Sequence, residues 1–466
     1  MGNVLLIPAE IKSWDGAAKA IGAIWHADSL SGRFARGAVW SLTGAVVSQG
    51  SNLIASIITA RLLGREQFGE YGMVQSTVGM LGIFAGLGLG VTATKYVAEL
   101  RTRDPERAGR IIALSSIVAL MSGGLLAVAL VLFAPILAAR TLNAPTLAPE
   151  LRIASVLLFL NALNGAQIGA LSGFEAFRTI ARINLARGVI TFPVTVALVL
   201  LWQLPGAIWA LAVSAALTCL FGQLCLRRHC ATVGIRPRLS SAWRERRVLW
   251  SFSTPAFLSA ALAGPVTWAA NTMLVNQPGG YAEMGVFSAA SQWRAALLFL
   301  LGLVGQVATP MLASLQDAGG GRLARKVLLG SVLMNAICTL PVVLVLLPFS
   351  GWVMSLYGPA FSGRGPVLAI LLLSAALLAV QTPVGNLIAA FGRMWAGFGM
   401  NAGWAACLLV VTHVLLGLGW GAQALASAYF AAYLAHALWT FSFAAAVLRR
   451  IQTSPAGATA EGAALA

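Results

Sequence analysis

Of the 466 residues, 59% are hydrophobic and only 10% charged, and the mean hydropathy is +0.83. A soluble chain of this length could not solvate that composition, which predicts an all-α polytopic membrane protein. The formal charge of +17 would suit a nucleic-acid partner, but its distribution along the chain excludes that reading.

Residues 1–36 carry Glu10, Asp15 and Asp28, and the apolar patch Val4–Ile7 is too short for the core of a signal peptide. A Met-Gly-Asn start resembles a myristoylation signal, but Leu6 stands where Ser or Thr is required. The segment is read as a cytoplasmic lead-in. A bilayer core about 30 Å thick needs about 20 apolar residues of helix. Spans of that kind are predicted at 37–60, 71–94, 111–138, 151–172, 185–203 and 206–226, an N-lobe of 37–226. A basic cytoplasmic linker, 227–249, leads to spans at 250–275, 284–312, 326–350, 364–390, 397–418 and 421–448, a C-lobe of 250–448. Residues 449–466 form a tail.

Of the 31 Lys and Arg, only Arg61, Arg65, Arg140, Arg152 and Arg364 fall on one side of this topology, Arg294 falls inside a span, and 25 fall on the other. The positive-inside rule then places both termini in the cytoplasm and the protein in a bacterial inner membrane. The basic loops are expected to lean on anionic lipid head groups. Cys219, Cys225, Cys230, Cys338 and Cys407 form no CxxC pair, so neither a disulfide nor a metal site is expected. Gly86-x-Gly88-x-Gly90 follows no strand and precedes no Lys-Ser or Lys-Thr, so it is read as close helix packing rather than a phosphate loop. Pro193, Pro255, Pro265, Pro310, Pro341 and Pro383 fall inside spans and mark expected kinks.

The halves repeat at an offset of about 216 residues. Phe68-Gly69-Glu70-Tyr71 falls on Met284-Gly285-Val286-Phe287, Arg107 and Arg110 on Arg322 and Arg325, Phe174 on Phe391, and Asn184 on Asn401. Each half holds six helices, so the repeat is parallel. Two such lobes related by an axis along the membrane normal make a transporter, with its substrate site between them near the midplane.

Residues 60–72 read ARLLGREQFGEYG, and Lys95-Tyr96-Val97-Ala98-Glu99 and Asp104-Pro105-Glu106-Arg107-Ala108-Gly109 follow a glycine-rich span. With Tyr357-Gly358-Pro359-Ala360-Phe361 and Pro366-Val367-Leu368, these segments resemble the polysaccharide-biosynthesis transporters. Those are the oligosaccharide flippases of the multidrug/oligosaccharidyl-lipid/polysaccharide exporter superfamily. The resemblance runs from roughly residue 35 to 450 and is densest at 37–112. It implies movement of undecaprenyl-diphosphate-linked oligosaccharide from the cytoplasmic to the periplasmic leaflet, for O-antigen, capsule or exopolysaccharide. It also implies glycosyltransferases and a polysaccharide polymerase as partners, and a cationic central cavity for the diphosphate.

Arg294, about three turns into the eighth span, is the leading candidate for that grip. An arginine at such depth faces a cavity or a partner, and its planar fork matches phosphate oxygens. The competing readings are snorkelling to the interface or pairing with Glu283. Gln49, Asn52, Gln75 and Asn271, the stripe of Asn161, Asn164 and Gln167, and Gln381 with Asn386 are candidates for hydrogen bonds to sugar or between helices. Lys95 and Arg61 are read as snorkelling anchors, and Trp40, Trp202, Trp250 and Trp352 as interfacial residues.

Three functions compete. The first is a flippase working by alternating access, with no cofactor and no ATP site. The second is a cation-coupled multidrug exporter of the same superfamily, which would need a carboxylate within the membrane, whereas all 14 acidic residues lie in loops or at span ends. The third is a polymerase or ligase, which would need catalytic groups on a sizeable periplasmic loop. None is present, and His413 and His436 are lone histidines inside spans. A lipid II flippase shares the diphosphate end of the substrate and stays open as a relative of the first reading.

Overall fold

The computed structural model describes residues 30–237, 239–254, 257, 261–314, 321–390 and 394–453. Helix dominates throughout. The N-terminal half holds α1 (Leu30–Gly86), α2 (Leu89–Leu100), α3 (Pro105–Ile136), α4 (Ala148–Gly173) and α5 (Phe177–Val233). The C-terminal half holds α6 (Ala263–Val275), α7 (Gly280–Ser314), α8 (Gly321–Leu346), α9 (Gly365–Ala390), α10 (Met394–Gly417) and α11 (Ala422–Thr453).

At 57 residues each, α1 and α5 are too long for one crossing. Each is broken once, which turns it into two. α1 breaks at Gly64 (φ 73°, ψ 179°), a backbone state that only glycine adopts without strain. α5 breaks at Gln203 (φ 50°, ψ −128°), two residues before Pro205, which cannot donate a helical hydrogen bond. The result is two six-helix lobes, as the repeat predicts. The second span, expected to run unbroken over 71–94, is interrupted at Leu87 and Gly88, which both have positive φ. Its glycines still serve close packing, because a Cβ on Gly169 of α4 would fall on the backbone of Gly90. Asp104 caps α3 by accepting from the Arg107 amide, one residue before the favourable Pro105.

Seven of the described helices are long and apolar enough to cross a membrane. Leu125, Leu132, Phe133, Leu201 and Leu344 are exposed along them, an outer surface suited to lipid rather than water. Trp202, Trp250 and Trp352 are exposed near helix ends, as an interfacial belt requires.

The lobes meet most closely at the end where α1 breaks. Gly69 and Gly285, the repeat-related glycines, face each other. A Cβ on Gly69 would fall on the Tyr281 carbonyl, and one on Gly285 on the Arg65 carbonyl. Gly72 packs on Ser288 in the same way, also its repeat counterpart. The contact is therefore isologous, as expected on a two-fold axis. Around it Phe68, fully buried, stacks at 6.2 Å from both Tyr357 and Phe361, which follow α8. Polar bonds lock the same end. Arg61 Nε donates to the Leu356 carbonyl at 2.6 Å, Asn276 Nδ2 to that of Thr141 at 2.9 Å, and the Tyr281 hydroxyl to that of Leu142 at 2.8 Å. Arg61, expected to snorkel, is thus a bridge between lobes.

At the opposite end, Thr92 and Ser253 share a hydrogen bond at 2.8 Å, and Tyr96 packs edge-on against Phe252 at 5.8 Å. The Lys95 ammonium sits 4.3 Å from the centre of the Phe252 ring, a cation–π contact rather than a free anchor.

Candidate functional site

The N-lobe holds a half-open cavity of about 460 Å³ between α1, α2, α4 and α5. Its space is made by side chains that are missing. A Cβ on Gly79, Gly86 or Gly165 would meet nothing within 4 Å, and one on Gly82 only a Leu158 methyl at 4.0 Å. Its polar groups come from three different helices: Gln75 of α1, Asn161 of α4 and Arg187 of α5. Among the described residues, Arg187 is the only charged one in the lining, and no carboxylate shares the wall. The cavity is therefore cationic, with amides on either side of the guanidinium. Filling it tests it directly: Gly79→Leu is expected to abolish transport while leaving the unfolding temperature nearly unchanged, because the added side chain occupies open space.

Arg187 was not among the residues expected to line a site. The fifth span, cut at 185–203, left it at a cytoplasmic margin. The helix in fact begins at Phe177, so Arg187 lies about 15 Å along it. A signal was available in the repeat. At the offset that relates Asn184 to Asn401, Arg187 corresponds to Trp404, an aromatic of the C-lobe interior.

Arg294 belongs to the C-lobe. At the offset relating Gly69 to Gly285 it corresponds to Val78, which lines the N-lobe cavity. Arg294 thus stands on the inner wall of its own lobe. Its guanidinium lies 5.0 Å from the Tyr429 ring centre and 5.5 Å from that of Tyr433, and it donates to the Tyr433 hydroxyl at 3.2 Å. Trp404 packs on Tyr433 in a tilted arrangement, ring centroids 5.5 Å apart. Arg294 Nε is buried without a hydrogen-bond partner among the described residues. The pairing with Glu283 is not made. Glu283 accepts from Arg364 at 2.9 Å and from the Ala422 amide at 2.9 Å, with Arg65 at 3.9 Å.

The polar stripe of α4 divides. Asn161 faces the cavity, whereas Gln167 donates to Gln223 at 3.0 Å and to the Cys219 sulfur at 3.4 Å, tying α4 to α5. Asn164 lies between them with a buried, unpartnered Oδ1. Asn271 donates to Ser76 at 2.8 Å and Trp268 to Thr77 at 3.0 Å, so this part of α6 is a seam between lobes. Gln49 and Asn52 are half-buried on α1, each one position past Ser48 and Ser51, which meet Gly188 of α5. The side chain of Asn386 lies outside those described.

Gln381 meets His436 Nδ1 at 3.1 Å, and His436 Nε2 meets Asn401 Oδ1 at 3.2 Å. Two carbonyl oxygens facing one ring need either an imidazolium or a turned amide. Gln381 Nε2 is the unpartnered atom, so rotating that amide lets it donate to Nδ1 and keeps the ring neutral. His436 is a helix tie between α9, α10 and α11. No cluster of His, Cys, Asp or Glu suited to a metal occurs among the described residues.

Two six-helix lobes with polar residues on their inner walls make a fold shared with solved transporters of the MOP superfamily. The fold matches an inward-facing multidrug resistance MATE family transporter of that superfamily with a TM-score of 0.69 at 17% identity, covering 90% of this chain and 99% of the other. The outward-facing form of such a transporter matches with a TM-score of 0.64 at 16% identity, covering 90% and 96%. The profile of the polysaccharide biosynthesis protein family matches residues 34–316, and the chain belongs to that family. The EPS I polysaccharide export inner membrane protein EpsE of Ralstonia nicotianae is 25% identical over 411 residues, 86% of this chain and 91% of the relative. The chain is thus a member of the polysaccharide biosynthesis protein family with the fold of MOP-superfamily transporters, as its motifs imply.

Proposed function

We propose that the protein flips a polyprenyl-diphosphate-linked oligosaccharide, of the undecaprenyl type, from the cytoplasmic to the periplasmic leaflet by alternating access. The observation that carries this reading is the N-lobe cavity, whose single charged lining residue is Arg187 and whose other polar groups, Gln75 and Asn161, are amides. A guanidinium offers two parallel donors to phosphate oxygens, and amides offer both donors and acceptors to sugar hydroxyls. Arg294 supplies a second cation on the facing lobe, its Nε still free. The diphosphate engages Arg187 and Arg294, the glycan lies against the amides of the N-lobe cavity, and the polyprenyl tail stays in lipid.

The basic asymmetry of the loops supports placing both termini in the cytoplasm, which makes the break in α1 a periplasmic feature. The tight contacts around Gly69 and Gly285 then lie on the periplasmic side, which supports reading the described state as closed there. With the cell interior negative, an anion moving outward gains about 2.3 kcal/mol per charge per 100 mV. A cation-coupled drug exporter is disfavoured because no carboxylate lines the cavity. The protein performs no bond chemistry. A glycosyltransferase supplies the lipid-linked glycan and a periplasmic polymerase consumes it.

The test is flipping in proteoliposomes of a fluorescent polyprenyl-diphosphate glycan. Wild type is expected to move it, Arg294→Lys to keep part of the rate and Arg294→Ala to lose about tenfold, the value of one charge-assisted hydrogen bond. Absence of movement by folded wild type would reject the proposed function.

A further inference from the structure

The linker between the lobes, read from sequence as a solvated basic segment, is docked. Gly234 ends α5 with φ +77°, and the chain turns back along the start of α3. Ile235, Ala242 and Val248 are buried. The Arg236 carbonyl lies so near Gly109 that a Cβ there would come within 2.7 Å of it. Glu245 fastens the segment by accepting from Arg107 Nε at 3.1 Å and from Arg110 Nε at 3.2 Å.

Docking leaves a pocket of about 160 Å³ between the linker and α3, lined by Arg110, Arg236, Arg244, Ser241 and Glu106 among others. Three guanidinium groups thus face one carboxylate. Glu106 reaches Arg110 at 4.0 Å and is otherwise exposed, while Glu245 is held by Arg107 and Arg110. Among the described residues, Arg236 and Arg244 make no ion pair. The surplus of positive charge therefore lies on these two, on opposite stretches of the linker, with the Ser241 hydroxyl between them in sequence. Trp243 (51% exposed) and Trp250 (76% exposed) lie on the same segment, beside exposed Arg246 and Arg247. Exposed indoles among arginines at the ends of membrane helices mark the level of lipid head groups.

We propose that this pocket binds a phosphate group presented by an anionic membrane lipid, with Arg236 and Arg244 as its two donors and Ser241 as the third. Occupancy would pin the linker to α3 and the membrane surface together, at a place remote from the N-lobe cavity. The proposal does not depend on what the transporter carries.

The probe is phosphatidylglycerol against phosphatidylcholine, added to the detergent-solubilised full chain and read by native mass spectrometry as bound lipid per protein. Wild type is expected to retain phosphatidylglycerol in preference. The double variant Arg236→Ala/Arg244→Ala should weaken retention by about tenfold or more, as removal of charge-assisted hydrogen bonds does. The charge-matched double variant Arg246→Ala/Arg247→Ala, outside the pocket, should retain it. Equal loss in the two variants would mean diffuse surface attraction and overturn the proposal. So would equal retention of both lipids by wild type. Protection of the folded chain by millimolar inorganic phosphate, without any lipid preference, would assign the pocket to free phosphate and overturn the lipid source. Both pairs are exposed arginines, so a melting curve matching wild type is expected, and it separates lost binding from lost folding.

Discussion

Arg187→Ala is expected to slow translocation of a polyprenyl-diphosphate glycan in proteoliposomes by about ten- to a hundredfold, which corresponds to about 1.4 to 2.7 kcal/mol of lost interaction. The side chain is the one charge in the lining of the cavity, so its loss leaves only neutral groups to face the phosphates. Arg187→Lys should fall between, because an ammonium keeps the charge but loses the bidentate fork. Stability should hardly change. Arg187 is exposed to the cavity rather than packed, and the neighbouring Gly188, which sets the approach of α5 to Ser48, is untouched. Arg294→Ala should behave differently, because it also removes the cation packed over the Tyr429 and Tyr433 rings. A lower melting temperature should accompany its slower transport. Wild-type rates for Arg187→Ala, with the protein folded, would remove the N-lobe cavity from the path of the diphosphate.

The two arginines also show how the lobes have diverged. At the position of Val78 the C-lobe has Arg294, and at the position of Arg187 it has Trp404. Each lobe thus carries one cation and one apolar residue at the same pair of repeat-related places, with the roles exchanged. In the N-lobe the cation looks into open space made by glycines. In the C-lobe it is held by aromatic rings. The N-lobe cation therefore borders an open pocket, whereas the C-lobe cation packs on Tyr429 and Tyr433.

The spans themselves were legible because bilayer thickness imposes a length and a composition on each. Lobe architecture was legible because the repeat preserved Phe68-Gly69 and Met284-Gly285, residues that meet at the symmetry axis. Helix starts were less legible. Polar first turns, such as Phe177–Asn184 of α5, carry no hydropathy signal, and that shortfall concealed Arg187. The linker was misjudged for a related reason. A charge-rich segment reads as solvated, yet Glu245 needs only two arginines of α3 to fix it, and such pairing across 135 and 138 residues leaves no local pattern. Among the amides, composition offered no way to separate Asn161, which lines the cavity, from Gln167, which ties helices. Only the rotation of α4 against α5 decides that.

Gly69→Val is expected to hold the lobes apart at the end where α1 breaks. The first added carbon already collides with the Tyr281 carbonyl, and the obstruction is backbone, which cannot turn aside. Gly285→Val should do the same through the Arg65 carbonyl, since the contact is symmetric. Even a modest overpacking penalty of about 1–3 kcal/mol shifts a two-state equilibrium by about five- to a hundredfold, so the closed population should nearly vanish if the open state is within that range. Gly72→Ala is the milder control, because its new carbon meets the Ser288 side chain, which can rotate. Spin labels at Asn143→Cys and Gln277→Cys, in a chain whose five cysteines are replaced, would report the distance across this end. Wild type should show a short distance, Gly69→Val a long one, and Gly72→Ala a mixture. Transport should fail in Gly69→Val, because a carrier that cannot close one side cannot alternate. A short distance retained in Gly69→Val with transport intact would mean that the glycine contact belongs to no step of the cycle, and the alternating movement would have to be sought elsewhere in the bundle.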